Sequence, residues 1–214
     1  MREIPILFSA SMVRAIIDGK KTQTRRVVKP QLSGCPYNDN GIWVERWFHT
    51  GDDDREIRCP YGQRGDKLWV RENWQYYDWN EDGMPCIRYA ADNATVWPEV
   101  PEEWAERIDD IWATLSSEDD NMARDRRWRP SIHMPRWASR ITIEITAVRV
   151  ERLQDISEAD ALDEGITYND IANNGLDPMR ARRWYRGLWE SINGTGSWDE
   201  NPWVWVIDFR RMDV

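Results

Sequence analysis

The run Gly19-Lys20-Lys21-Thr22-Gln23-Thr24-Arg25-Arg26 concentrates cations and hydroxyls in a few residues, and Lys29 extends it with no acid from residue 19 to 29. Such a run suits an anion or a polar base, and a lysine crowded by other cations holds its proton less tightly, as a general base must. Arg71 and Glu72 adjoin at the end of an expected strand and could face a pocket, although an internal ion pair explains them equally. His133, set between Arg129-Pro130 and Pro135-Arg136-Trp137, could line the mouth of a cavity or be a satisfied structural imidazole. Cys35-Pro36-Tyr37 echoes Cys59-Pro60-Tyr61-Gly62, and His49 or His133 could complete a metal site with them. Paired Cys-x-x-Cys spacing is absent, so neither a metal nor any other cofactor is expected.

The elements that must position these residues follow from periodicity and caps. Residues 4 to 8 read as a short buried strand. Ser11 can cap a helix with Met12, Val13, Ile16 and Ile17 on one face, and Gly19 stands where a left-handed C-cap would end it. The basic run therefore starts just past a helix C-terminus, where the dipole itself favours Lys20 and Lys21. Residues 31 to 64 read as loops with one hairpin near 42 to 48. Gly65-Asp66 turns into the strand Leu68-Trp69-Val70, and residues 86 to 90 suggest another. Pro101 opens an amphipathic helix with Trp104, Ile108, Ile111, Trp112 and Leu115 on one side. Ile141, Ile143, Ile145 and Ala147 alternate with polar residues as in a half-exposed strand. Ser157 caps a helix that ends at Gly165, and Asp177-Pro178 starts one that presents Ala181, Tyr185, Leu188, Trp189 and Ile192. Residues 203 to 209, apolar on both faces, suggest a central strand.

The chain has 214 residues and a formal net charge of -9, which argues against a uniformly cationic binder of nucleic acid. Charge is segregated. Residues 78 to 120 hold thirteen acids against Arg88 and Arg107, whereas residues 122 to 140 hold six arginines against Asp125, and Arg180, Arg182, Arg183 and Arg186 share an expected helix. Fifteen Trp are expected to be mostly core, with some free to stack on a base. Free thiols, no membrane span, no signal peptide and a cytoplasmic location are expected.

A helix followed by Gly19-x-Lys21-x-x-Thr24-x-Arg26, the Gly65-Asp66-x-Leu68-Trp69-Val70 turn and strand, a Ser-x-x-x-Ala-x-x-Glu-Gly helix and a final apolar strand together resemble the ASCH family. The closest likeness is to its longer, Trp-rich bacteriophage and prophage forms, which also resemble this chain at Asn201-Pro202-Trp203-Val204-Trp205-Val206. The resemblance covers roughly residues 1 to 30, 59 to 75 and 130 to 214. It implies an α+β fold built on a PUA-like antiparallel β-barrel with flanking helices: one domain over 1 to 214, with residues 76 to 128 as an acidic helical insertion. It also implies RNA-related work. One branch of the family has Thr, as here, where the general motif has Glu. That branch removes the acetyl group from N4-acetylcytidine, and its catalytic Lys, Thr and Glu would fall on Lys21, Thr24 and Glu164.

The chemistry of those positions can be weighed from the residues. A Thr hydroxyl needs a base to take its proton, and Lys21 can be that base if burial or Lys20, Arg25 and Arg26 depress its pKa. Lys21 and Thr24 are three apart, so a regular strand points them to opposite faces and only a turn or bulge lets them meet. Arg26 would share the face of Thr24 and could hold a carbonyl or phosphate, while Lys20 and Arg25 are expected to be solvated. Glu164 at a helix C-terminus could donate a proton, or be an exposed helix end paired with an arginine. Two readings result: a hydrolase acting on a modified nucleoside with Lys21, Thr24 and Glu164, or a module in which the basic runs bind RNA or single-stranded nucleic acid.

Overall fold

A computed structural model describes residues 1–31, 44–45, 55–56, 58–116, 127–166 and 181–212. Cys35, His49, Asp177, Pro178 and Arg180 lie outside the described residues. The chain is α+β, and it divides into two compact units. The first comprises Met1–Arg2, Ala15–Lys67 and Glu144–Arg211; the second comprises Glu3–Arg14, Leu68–Ile143 and Met212–Val214.

In chain order the elements are β1 (Glu3–Leu7), α1 (Ala10–Ile17), β2 (Gln23–Val27), β3 (Val44–Glu45), β4 (Arg55–Glu56), β5 (Lys67–Arg71), β6 (Trp74–Trp79), β7 (Pro85–Tyr89) and β8 (Thr95–Val96). They continue with α2 (Ala105–Ser116), β9 (Thr142–Arg152), α3 (Glu158–Asp163), α4 (Ala181–Asn193) and β10 (Trp203–Met212). One sheet has the order β1-β5-β9-β10-β2, so β1 and β2 are its ends and no ring of strands closes among the described residues. Of the hairpin expected near 42 to 48, Val44 and Glu45 are described; they pair with Glu56 and Arg55.

In the first unit β10 is the central strand, as its composition requires. Val204, Trp205, Val206 and Ile207 are all buried, so both faces are covered. It pairs antiparallel with β2 without a slip, from Val204 opposite Val27 to Asp208 opposite Gln23. A core of Leu153, Ile156, Ala161, Tyr185, Trp189, Trp198, Val204 and Val206 packs α3 and α4 together with β10. The buried face of α4 is Ala181, Tyr185 and Trp189, four apart each time. Ile192, expected on that face, is 57% exposed because the last turn of α4 runs past the core cluster.

The second unit explains much of the tryptophan. Its sheet β6-β7-β8 packs Trp74, Tyr76, Ile87 and Tyr89 against Ile108, Met134 and Ala138, with Trp79, Trp104 and Trp137 around them. The rings meet mostly edge to face or stacked, as between Trp74 and Tyr76 with centroids 5.1 Å apart and Tyr76 and Trp79 at 5.5 Å. The acidic helix α2 contributes the fully buried Ile108. The helix begins after a 3-10 turn, Glu102–Trp104, and the side chain of Leu115 lies outside the described residues. The stretch 76 to 128, expected as an insertion, forms part of this unit together with residues on both sides of it.

Helix α3 is only six residues long, and its start is fixed by a capping box: Ser157 Oγ accepts from the Asp160 backbone N–H while the Asp160 carboxylate accepts from the Ser157 N–H. Because so short a helix depends on its cap, Ser157→Ala is expected to lower stability by about 1 kcal/mol, measured by urea denaturation.

Candidate functional site

The end of α1 sets the position of Lys21. Gly19 adopts φ +69°, the left-handed conformation expected of a C-cap glycine, and the N–H groups of Lys20 and Lys21 both donate to the Ala15 carbonyl. Lys21 then bridges antiparallel to Glu164, just past the end of α3, and the Thr22 N–H donates to the Asp163 carbonyl at 2.8 Å. Gly165, at φ +95°, closes the contact: a β-carbon there would lie 2.8 Å from Ala15 Cβ and 2.9 Å from Lys21 Cβ. Only a residue without a side chain fits at that point.

From this bridge the chain runs extended into β2, and Lys21, Gln23 and Arg25 bring their side chains into one buried polar network. The Lys21 ammonium, with no exposed surface, donates to Glu164 Oε2 at 2.6 Å, to the Glu164 carbonyl at 2.9 Å and to the Gln23 carbonyl at 2.8 Å. All three of its protons are thus directed at protein oxygens. The other oxygen of Glu164, Oε1, accepts from Tyr185 Oη at 3.3 Å and from Arg25 Nη1 at 3.5 Å. Arg25 also donates to Gln23 Oε1 and to Glu151 at 3.3 Å, and lies 3.7 Å from an Asp160 oxygen. Toward solvent, Arg149 joins Glu151, Asp160 and Asp208, while Gln23 Nε2 donates to Asp160 and Asp208.

The electrostatics follow from this arrangement. Burial pushes the Lys21 pKa down. Glu164 opposes the shift, and the charges of Arg26 and Arg25 add to it. The Tyr185 phenol is pushed well up by burial and by the Glu164 charge. Burial by itself would raise the Asp160 pKa, but hydrogen bonds from Ser157 and Gln23 and the Arg25 charge hold it down to about 2.

The structure brings Lys21 and Glu164 into direct contact. Glu164 is 4% exposed, buried at the helix end rather than solvated there. Thr24 is buried too, but β2 is regular and Gln23 and Arg25 point into the network, so alternation turns Thr24 to the opposite face. No bulge brings it round to Lys21 within this strand. Arg26, half-buried, has its guanidinium 6.0 Å from the Tyr61 ring centroid. The expectation that Arg25 is solvated is overturned, since its side chain is fully buried by the carboxylates it serves. Lys20 is indeed exposed, paired with Asp18. Gln23, Arg25 and Tyr185 were missed as site residues; the signal for the first two is their spacing of two and four from Lys21.

Arg71, Glu72 and His133 belong to the second unit. The Arg71 guanidinium lies 4.6 Å from the Trp69 ring centroid and donates to the Ile132 carbonyl. Glu72, buried, accepts a two-pronged contact from Arg140 at 2.9 and 3.0 Å, and Arg140 also holds Asp92. Burial raises the Glu72 pKa against the pull of Arg140. His133 is exposed at the end of the 3-10 turn Ser131–His133. Among the described residues no group of three or more His, Cys, Asp or Glu is arranged to hold a metal, and no helix is long and apolar enough to cross a membrane. Cys59 and Cys86 are free thiols.

Set against known protein families, curated proteins and solved structures, the chain matches none.

Removing one partner of a buried pair strands the other charge, so Lys21→Met is expected to cost about 3–5 kcal/mol in urea unfolding. In the double variant Lys21→Met/Glu164→Gln the loss should be smaller than the sum of the two single losses, and strict additivity would show that the contact carries no coupling. Asp160 contributes stability that is complete above its ordinary pKa of 3.8 and is lost as pH falls through about 2. Asp160→Asn should therefore be less stable than the parent at neutral pH and should show a flatter loss of stability between these two pH values.

Proposed function

We propose that the chain is an ASCH-type protein, with a PUA-like arrangement of strands, that hydrolyses the amide of an N4-acylated cytidine or similar acylated nucleoside in the cytoplasm. What carries the reading is the 2.6 Å contact between two buried side chains, Lys21 and Glu164, one a potential base and the other a potential acid. With the proton on Lys21 the pair is ammonium and carboxylate; with it on Glu164 the pair is a neutral amine and a carboxylic acid, which are the base and the acid an amide hydrolysis needs. Burial favours the uncharged form of the lysine.

In the proposed reaction a water, oriented by the Thr24 hydroxyl, attacks the acyl carbonyl carbon, leaves its hydroxyl there and gives its other proton to the Lys21 amine. Glu164 gives its proton to the departing N4 as the C–N bond breaks. The one water consumed is thus divided between the products, the free nucleoside and the carboxylic acid. The pair finishes as ammonium and carboxylate, and transfer of one proton along the 2.6 Å contact resets it. Because β2 turns the Thr24 side chain away from Gln23 and Arg25, the water-orienting role suits Thr24 better than that of direct nucleophile. Arg26, two residues further on the same strand face, is the proposed contact to a substrate carbonyl.

The alternative, a module that holds RNA or single-stranded nucleic acid through its basic runs, draws less support. Arg25, Arg136, Arg140, Arg182 and Arg186 each donate to an oxygen of the protein itself.

Incubation with N4-acetylcytidine, followed by chromatography of free cytidine, tests the proposal. Lys21→Ala or Glu164→Gln should reduce turnover by at least about 10²-fold, with folding checked by circular dichroism. An inactive parent protein, or a Lys21→Ala variant as fast as the parent, rejects the mechanism. A salt-sensitive gel shift with RNA in the absence of turnover would favour the binding module instead.

A further inference from the structure

The proposed chemistry uses Lys21 and Glu164 but leaves three buried groups around them without a role: Arg25, Gln23 and Tyr185. Their geometry is asymmetric in an informative way. Lys21 holds one oxygen of Glu164, and Arg25 and Tyr185 hold the other, at 3.5 and 3.3 Å. The carboxylate cannot turn about its bond to the chain without breaking contacts at both ends. Arg25 is itself fixed. Its Nη1 reaches Gln23 Oε1 as well as Glu164, its Nη2 reaches Glu151, and the Tyr185 ring centroid lies 6.0 Å from its guanidinium carbon. A planar fork can make these divergent contacts at once, whereas a lysine ammonium is a single point charge.

We infer that Arg25, assisted by the Tyr185 hydroxyl, is a positioning residue for the Lys21–Glu164 pair: it holds Glu164 so that Oε2 meets Lys21, and it keeps a permanent positive charge beside the ammonium. The kinetic part of this inference rests on the hydrolase reading; the electrostatic part does not. Arg25 from β2 and Tyr185 from α4 touch the pair, and the Arg26 charge acts on it from the other face of β2. Beyond Arg25 lie Asp160 from α3, Glu151 and Arg149 from β9, and Asp208 from β10. Both guanidinium charges act on Lys21, and that of Arg25 lies 3.5 Å from Glu164 Oε1.

The sign of its effect can be worked out. Removing the Arg25 charge takes a cation away from the Lys21 ammonium and leaves the Glu164 charge less shared. Both changes favour the protonated lysine, so Lys21 keeps its proton to higher pH. Loss of the Tyr185 hydroxyl acts in the same direction through Glu164 alone, and less strongly.

The chain has four lysines, Lys20, Lys21, Lys29 and Lys67, so the protonation of Lys21 can be followed directly. The experiment is a pH titration of the lysine side-chain nitrogens by ¹⁵N NMR on the intact protein, with the Lys21 signal assigned from Lys21→Arg. Arg25→Gln is expected to raise the Lys21 midpoint by about one pH unit. Tyr185→Phe, a near-isosteric change, is expected to raise it by a smaller amount. Arg25→Lys keeps the charge and should leave the midpoint near that of the parent. In turnover of N4-acetylcytidine, Arg25→Gln should move the falling alkaline limb of the pH profile, where the pair loses its one proton, upward by the same amount and lower kcat more than it changes KM. Tyr185→Phe should shift that limb in the same direction. Unmoved Lys21 midpoints in both Arg25→Gln and Tyr185→Phe would overturn the inference. If Arg25→Gln fails to fold, Tyr185→Phe decides alone. A protein without turnover whose Lys21 midpoint moves as described would reject the hydrolase reading and uphold the positioning role.

Discussion

A lysine ammonium with no exposed surface, held 2.6 Å from a carboxylate that is itself buried, is the constraint to which the first unit is built. Removing two charges from water costs several kcal/mol apiece after relaxation, and the cost is recovered only where geometry is tight and every remaining donor is met. That requirement accounts for the surroundings of the pair: two carbonyls to complete the lysine, an arginine and a phenol on the far oxygen of the glutamate, and further carboxylates to answer the arginine. The charges thin outward in steps. Lys21 and Arg25 are fully enclosed, whereas Arg149, Glu151, Asp160 and Asp208 keep between 21% and 32% of their side chains in water. A network graded in this way satisfies the inner charges without enclosing the outer ones.

The backbone does as much as the side chains. The Ala15 carbonyl accepts from two successive N–H groups at the end of α1, so the register of Lys21 is set before β2 begins. The continuous pairing of β2 with β10 then carries that register through Arg25. A short helix with a capping box at one end and a glycine at the other delivers Glu164 from the opposite side. Each device is local, and together they place one atom pair.

Local signals of this kind were the ones legible in the sequence. The Gly19 stop, the Ser157 start, the Gly165 stop and the two-sided apolar run of β10 each depend on a few neighbouring residues, and each appears where its residues indicate. Lys21 and Glu164 were legible through resemblance, being 143 positions apart with nothing in the chain between them to link their fates. Arg25 was misread because a basic run in an acidic chain looks like a solvated face. Which of its members turn inward depends on carboxylates supplied by β9 and α3, far along the sequence. The alternation of Lys21, Gln23 and Arg25 was visible but cannot by itself say which face is covered. Ile192 failed in the opposite way: its helical periodicity was right, but the core ends one turn sooner. Much of the tryptophan, which could have suggested a stacking platform, is used in the aromatic core of the second unit.

The tight approach at Gly165 ties three positions into one steric unit. Ala15, Lys21 and Gly165 come from a helix, a bridge and a loop, yet their β-carbon positions crowd within 3 Å of the same point. Lineages of this protein can therefore drift at these sites only in concert, and a large residue at position 15 should be as foreign to the fold as any side chain at position 165. Co-variation of these three columns, rather than retention of the charged residues alone, is the mark by which distant kin that keep this packing could be told from kin that have lost it.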